Sequence, residues 1–286
     1  PRMKSNTPKV LHKIFEKPLL GYVLDNVKNI TNEAFVIVGH HAEEVTEYVN
    51  KNFDSAKTVL QSPQLGTGHA VSMVCPSLEN FEGQVIILCG DTPLITEKTL
   101  KDFIDYHNSC NSDLTVMSTI FDNPTNYGRI IREADNSLKC IVEEKDATSE
   151  QKAVKEVNAG IYCLNWGKIK CAFSQLTSNN AQGEYYLTDI ISWGKKNSLN
   201  VNAYILENSD EIYGINSRQN LATATKIMND RKLAELMDNG VTIVDPSSTW
   251  ISEDTEIGAD TIIYPATYIE GKNKIGQNCK IGPCAH

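Results

Sequence analysis

The chain has 286 residues, of which 41% are hydrophobic and 22% charged, with a formal net charge of -9. That length suits one large domain or a domain with an appendage, and it is ample for a packed core. The acidic balance excludes the broad basic face that a nucleic-acid binder needs, but local Lys and Arg can still hold a small anion. The eight cysteines (Cys75, Cys89, Cys110, Cys140, Cys163, Cys171, Cys279 and Cys284) form no CxxC pair, which reads as reduced core thiols in a cytoplasmic protein. No apolar stretch reaches membrane-spanning length and no targeting segment is visible, so no membrane partner is expected.

The first stretch, PRMKSNTPKVLHKI, is basic and polar. Arg2 and Lys9 are cations suited to phosphate oxygens and Pro8 stiffens the turn, yet a solvated basic loop explains the same residues. AFVIVGH (34–40) reads as a buried strand, EEVTEYVNKN as a helix, and KTVL (57–60) as a second strand. QSPQLGTGHA (61–70) then leads into a helix. Gln61 and Gln64 carry amides able to pair with a nucleobase edge, and Gly66 and Gly68 let backbone N–H groups approach a phosphate closely. A plain glycine turn explains the glycines but not the glutamines.

QVIILCGD (84–91) is the strongest strand signal, and it delivers Asp91 to the strand's carboxyl end. A lone carboxylate there suits a Mg²⁺ ligand, though a turn Asp is common. TEKTLKDFIDYHNSC (96–110) is a helix opened by Thr96, and DLTVMSTIF (113–121) another strand. Strands alternating with helices predict an α/β fold with a doubly wound and mostly parallel sheet.

Next, YGRIIREADNSLKCIVEEKDA (127–147) reads as a β-hairpin around an Asp-Asn-Ser turn, and VNAGIYCL (157–164) as a strand. Gly128, Glu143 and Asn158 offer groups suited to sugar hydroxyls or an acetamido group. EYYLTDIISWGKKN (184–197) reads as an amphipathic helix, VNAYILE (201–207) as a strand, and 217–240 as a long helix ended by Gly240. Asn216 stands before that helix, where helix capping and metal ligation are both open. From about Asp245, Ile257, Ile263, Ile269, Ile275 and Ile281 recur every six residues. A strict period of six fits neither a helix nor an ordinary strand, but it does fit a parallel β-helix with one aliphatic residue per face.

RMKS, PKVLH, QLGTGHA, GDTPL, YGRI, VEEKDA, VNAGIY, NNAQGEYYLTD, GINSR and Ile-led hexapeptides follow in one order. Together they resemble the bifunctional N-acetylglucosamine-1-phosphate uridyltransferase/glucosamine-1-phosphate acetyltransferase family, the GlmU type. The resemblance implies a Rossmann-like nucleotidyltransferase fold over 1–216, a connecting helix over 217–244 and the first coils of a left-handed parallel β-helix over 245–286. It implies uridylyl transfer from UTP to N-acetylglucosamine 1-phosphate with Mg²⁺, giving UDP-N-acetylglucosamine and pyrophosphate for bacterial cell-wall precursors, in a homotrimer. Carried over position by position, Arg2 and Lys9 match phosphate contacts. Gln61, Gly66 and Thr67 match nucleotide contacts, with Gln64 in the same motif, while Cys89 and Gly90 lie in the strip that holds Asp91. Asp91 and Asn216 match the Mg²⁺ ligands, and Gly128, Glu143 and Asn158 the sugar-nucleotide contacts. The family's opening strand and Gly-rich loop would precede Arg2, and its acetyl-transfer residues would follow His286. The chain is therefore expected to be truncated at both ends and to lack the acetyltransferase half. The rivals are another sugar-1-phosphate nucleotidyltransferase and a non-catalytic regulatory subunit.

Overall fold

A computed structural model describes residues 3–286, so Arg2, expected on a phosphate, lies outside the described residues. In chain order the strands are β1 (Lys13–Ile14), β2 (Lys17–Pro18), β3 (Ala34–Val38), β4 (Ala56–Leu60), β5 (Gln84–Ile87), β6 (Leu114–Ile120), β7 (Arg129–Arg132), β8 (Leu138–Val142), β9 (Glu156–Asn165) and β10 (Val201–Leu206). The helices are α1 (Leu19–Val27), α2 (Ala42–Asn52), α3 (Thr67–Ser72), α4 (Glu97–Ser109), α5 (Ser149–Lys152), α6 (Trp166–Ile169), α7 (Asp189–Lys196) and α8 (Arg218–Asp238). Among the described residues, no helix is long and apolar enough to cross a membrane. The chain forms two compact units. Among the described residues, one gathers 3–23 with Asp91–Leu94 and Tyr213–His286, and the other holds Leu24–Gly90 and Ile95–Ile212.

The second unit is an α/β layer structure of Rossmann type. Its six-stranded sheet runs β10-β6-β9-β7-β8, with β5 also paired to β9. Along β9 the side chains alternate between two cores. Tyr162 and Leu164 join Trp166, Ile169 and Ile190, while Ile161 and Cys163 join Leu100 and Phe103 of α4. Burial on both faces is why these strands read as continuous apolar runs. β3 and β4 pair in parallel through the crossover α2, and β6 pairs in parallel with β10.

Three expectations are corrected here, and the capping alternative left open for Asn216 is settled. The sheet is mixed rather than mostly parallel, because β9 runs antiparallel to β5, β6 and β7. β8 and β9 both run antiparallel to β7, and the connection that carries α5 takes the chain back across β7 before β9 enters the sheet. α7 begins at Asp189, not Glu184, because the Tyr185 and Leu187 N–H groups are bonded to the glycine loop instead of continuing a helix. α8 is capped by the Ser217 hydroxyl, which accepts from Asn220 N–H, so Asn216 is not the cap. Of the eight thiols only Cys163 is buried.

In the first unit, β11 (Thr242–Ile243), β12 (Trp250–Ile251), β13 (Glu256–Ile257), β14 (Ile262–Ile263), β15 (Tyr268–Ile269), β16 (Lys274–Ile275) and β17 (Lys280–Ile281) follow α8. They stack in parallel in three sets, β11-β14-β17, β12-β15 and β13-β16. Ile251 pairs with Ile269, Ile257 with Ile275 and Ile263 with Ile281, so each turn takes eighteen residues. The isoleucines form one apolar column with Leu233 and Leu236 of α8. Asn229 of α8 binds the edge of this stack. Its amide donates to Thr249 O at 2.9 Å and accepts from Ile251 N–H at 2.9 Å.

Candidate active site

The expected metal and phosphate residues of the first unit converge. Pro8 enters a 3-10 turn over Lys9–Leu11, closed by Leu11 N–H on Pro8 O, and this fixes the stem of Lys9. Asp91 accepts at its carbonyl from Ile215 N–H, which brings the neighbouring Asn216 alongside. Because Ser217 caps α8, the Asn216 side chain remains available. The Lys9 ammonium donates to Asp91 Oδ2 at 2.5 Å and to Asn216 Oδ1 at 3.0 Å.

This donor set fits a hard divalent cation. A carboxylate and an amide oxygen already turn toward one positive centre, and both are the oxygen ligands that Mg²⁺ prefers. Among the described residues, no group of three His, Cys, Asp or Glu could hold a metal. A Mg²⁺ ion would therefore take its remaining ligands from phosphate and water, as this ion commonly does.

In the second unit, QLGTGHA is laced to the segment before α7. Tyr185 N–H donates to Leu65 O, Gly68 N–H to Tyr185 O, and Leu187 N–H to the Thr67 hydroxyl. The Gly68 N–H expected to face a phosphate is thus spent within the protein. Gly66 has φ +111°, and a side chain there would meet the Tyr185 backbone. Gln61 is buried at 8% exposure, and its amide nitrogen donates to Gly66 O at 2.9 Å. Gln64 supports it by donating to Gln61 O at 3.1 Å.

A further group in this unit gathers Gly128, Glu143 and Asn158. Asn158 N–H donates to Gly128 O at 2.9 Å. The Asn158 amide is held at both ends, accepting from Gly160 N–H and donating to the Tyr162 hydroxyl. Glu143 accepts from the Thr188 hydroxyl at 3.2 Å. Burial, with Asp146, Asp189 and Glu184 nearby, pushes the Glu143 carboxyl above its ordinary pKa. The Cys89 thiol faces Gly160 O at 3.6 Å, and Gly160 (φ +74°), at the register shift within β9, has no room for a side chain against that sulfur. Gly90 directly precedes Asp91 in the chain. Tyr162, Thr188 and Gly160 belong to motifs quoted from the sequence, but nothing in their residue type marked them as partners of Asn158, Glu143 and Cys89.

The family model for nucleotidyl transferases matches residues 3–235. Bifunctional protein GlmU of Caldanaerobacter subterraneus subsp. tengcongensis is 47% identical, that of Acetivibrio thermocellus 48% and that of Geobacillus thermodenitrificans 45%. Each alignment covers 99% of this chain, which spans 61% of the length of each relative. Among solved structures, a Bacillus anthracis protein assigned as a glucose-1-phosphate thymidylyltransferase superposes with a TM-score of 0.61 at 17% identity, covering 77% of this chain and 86% of that one. HddC from Yersinia pseudotuberculosis superposes with a TM-score of 0.55 at 18% identity, covering 78% and 91%. These two likenesses establish the fold alone. The chain belongs to the nucleotidyl transferase family and is homologous to bifunctional GlmU proteins over the part of their length that it spans.

Proposed function

We propose that this chain transfers a uridylyl group from UTP to N-acetylglucosamine 1-phosphate, giving UDP-N-acetylglucosamine and pyrophosphate for bacterial cell-envelope synthesis in the cytoplasm. The observation that carries this reading is the convergence of Asp91 and Asn216 on the Lys9 ammonium, in a homologue of GlmU. An anionic oxygen of the sugar phosphate attacks the α-phosphorus of UTP. A new P–O bond forms as the bond to the leaving pyrophosphate breaks. The attacking oxygen is already charged, so no general base is required, and catalysis is alignment and charge neutralisation.

Asp91 and Asn216 would hold Mg²⁺, which when bound supplies charge neutralisation at the phosphates. Lys9 offsets charge on the triphosphate, and Arg2 has the same role by resemblance. Gln61, Gln64, Gly66 and Thr67 serve the nucleotide, and Cys89 and Gly90, which precede Asp91 in the chain, are assigned to substrate binding. Gly128, Glu143 and Asn158 serve the sugar. We assign 1–216 to the pyrophosphorylase domain, 217–244 to a connecting helix, and 245–286 to the first coils of a left-handed parallel β-helix of hexapeptide repeats, to which we also assign homotrimer formation. The parallel stacking at eighteen-residue intervals supports the β-helix reading.

The test is pyrophosphate release from UTP and N-acetylglucosamine 1-phosphate with Mg²⁺. Asp91→Ala is expected to abolish it, and full activity in that variant refutes the metal ligand. Equal or faster turnover with dTTP, GTP or CTP would favour a different nucleotidyltransferase. The complete Lys9, Asp91 and Asn216 set speaks against a purely regulatory subunit.

A further inference from the structure

The Gln61 amide carries two N–H groups and both are committed. One goes to the Gly66 carbonyl, which can only accept, so the nitrogen end of the amide is fixed without ambiguity. The other meets His69 Nδ1 at 3.1 Å. Since the amide nitrogen only donates, Nδ1 must accept, which puts the ring proton on Nε2. His69 is itself set by its place on α3, where its carbonyl accepts from the Ser72 hydroxyl, and by the Tyr185 ring 6.3 Å away. Among the described residues, no group donates to Gln61 Oε1. The buried side chain therefore offers a ligand an acceptor and no donor.

We propose that His69 is a positioning residue for nucleobase choice. By accepting the second Gln61 N–H, it holds the amide so that Oε1 selects a base presenting a ring N–H, such as uracil, over one presenting a ring-nitrogen lone pair, such as cytosine. This rests on the reading of Gln61 as a base contact. With His69 replaced by an apolar residue, the amide keeps only its Gly66 anchor. One bond instead of two then opposes the flipped amide, which would turn its nitrogen to the ligand and donate to the cytosine ring nitrogen. The selection resides in a hydrogen bond that the ligand itself never touches.

The experiment measures UTP and CTP dissociation constants by calorimetry on the full chain, with thermal unfolding as a check on folding. His69→Leu should weaken UTP binding by about tenfold, the equivalent of one hydrogen bond, and bring the CTP constant closer to it. His69→Gln, whose amide oxygen can accept, should restore most of the UTP preference. If His69→Leu leaves the UTP-to-CTP ratio of wild type, or lowers both affinities equally, the proposal is overturned. Gln61→Leu separates the two layers. A preference that survives it overturns the base contact and the His69 role together. A preference lost in Gln61→Leu but kept in His69→Leu overturns the His69 role alone.

Discussion

Replacing Lys9 by Met keeps a stem of similar length and removes the ammonium. On the proposed reading, the ammonium occupies the place of a metal ion between Asp91 and Asn216 when nucleotide is absent. Removing it should tighten Mg²⁺ binding while slowing turnover, two effects of opposite sign from one change. The size follows from the contacts. The Lys9–Asp91 pair spans 2.5 Å, with side chains 40% and 19% exposed. A charge-assisted hydrogen bond contributes about 1.5–3 kcal/mol, and this exposure argues for the lower end. A metal that no longer displaces that bond should bind about tenfold more tightly. Turnover should fall by roughly 10²–10³, the usual loss when one stabilising donor is removed from a developing charge. Calorimetric titration of Mg²⁺ without nucleotide reads the first effect, and pyrophosphate release reads the second. Unchanged or weaker Mg²⁺ binding in Lys9→Met would refute the idea that ammonium and metal compete for the same two oxygens.

Asn229→Ala should cost roughly 2–4 kcal/mol in urea denaturation, because it strands the Thr249 carbonyl and the Ile251 N–H at a site 3% exposed. A loss under about 0.5 kcal/mol would show that other groups take over these bonds. For Glu143, burial raises the folded-state pKa above the ordinary 4.5, so the folded protein binds this proton more tightly than the unfolded chain. The stability contributed by the protonated group is fully present below pH 4.5 and is lost as pH rises through the folded value. Glu143→Gln should therefore raise the melting temperature at pH 7.5 but not at pH 4, and weaken binding of the sugar phosphate. An equal shift at both pH values would contradict the burial argument.

The α/β class was legible because apolar runs such as QVIILCGD and DLTVMSTIF reflect burial on both sheet faces. Strand direction was not. VNAGIYCL has the composition of a parallel strand, and only the way the chain crosses back over β7 after the hairpin sets it against its neighbours. The start of α7 was misjudged for a similar reason. EYYLTDIISWG carries helical spacing throughout, but long-range bonds to Leu65 and Thr67 claim its first N–H groups. Gln61 was visible as an amide near a glycine loop. Which end of that amide stays free depends on the Gly66 carbonyl and His69, and local sequence does not encode that geometry.

The gathering of Lys9, Asp91 and Asn216 has a physical cause beyond their own polar contacts. Each stands within a few residues of an apolar anchor in one core: Ile14 for Lys9, Leu94 for Asp91 and Ile215 for Asn216. These anchors are at most 1% exposed, and Ile215 adds the backbone bond to Asp91. A polar cluster of three would not assemble from distant segments by its own contacts alone, because a pairing of about 1.5 kcal/mol does not offset the entropy of ordering those segments. The burial of Ile14, Leu94 and Ile215 supplies the ordering, and the polar groups are carried into register by it. The site is thereby held before any ligand arrives, which is what transfer by alignment requires.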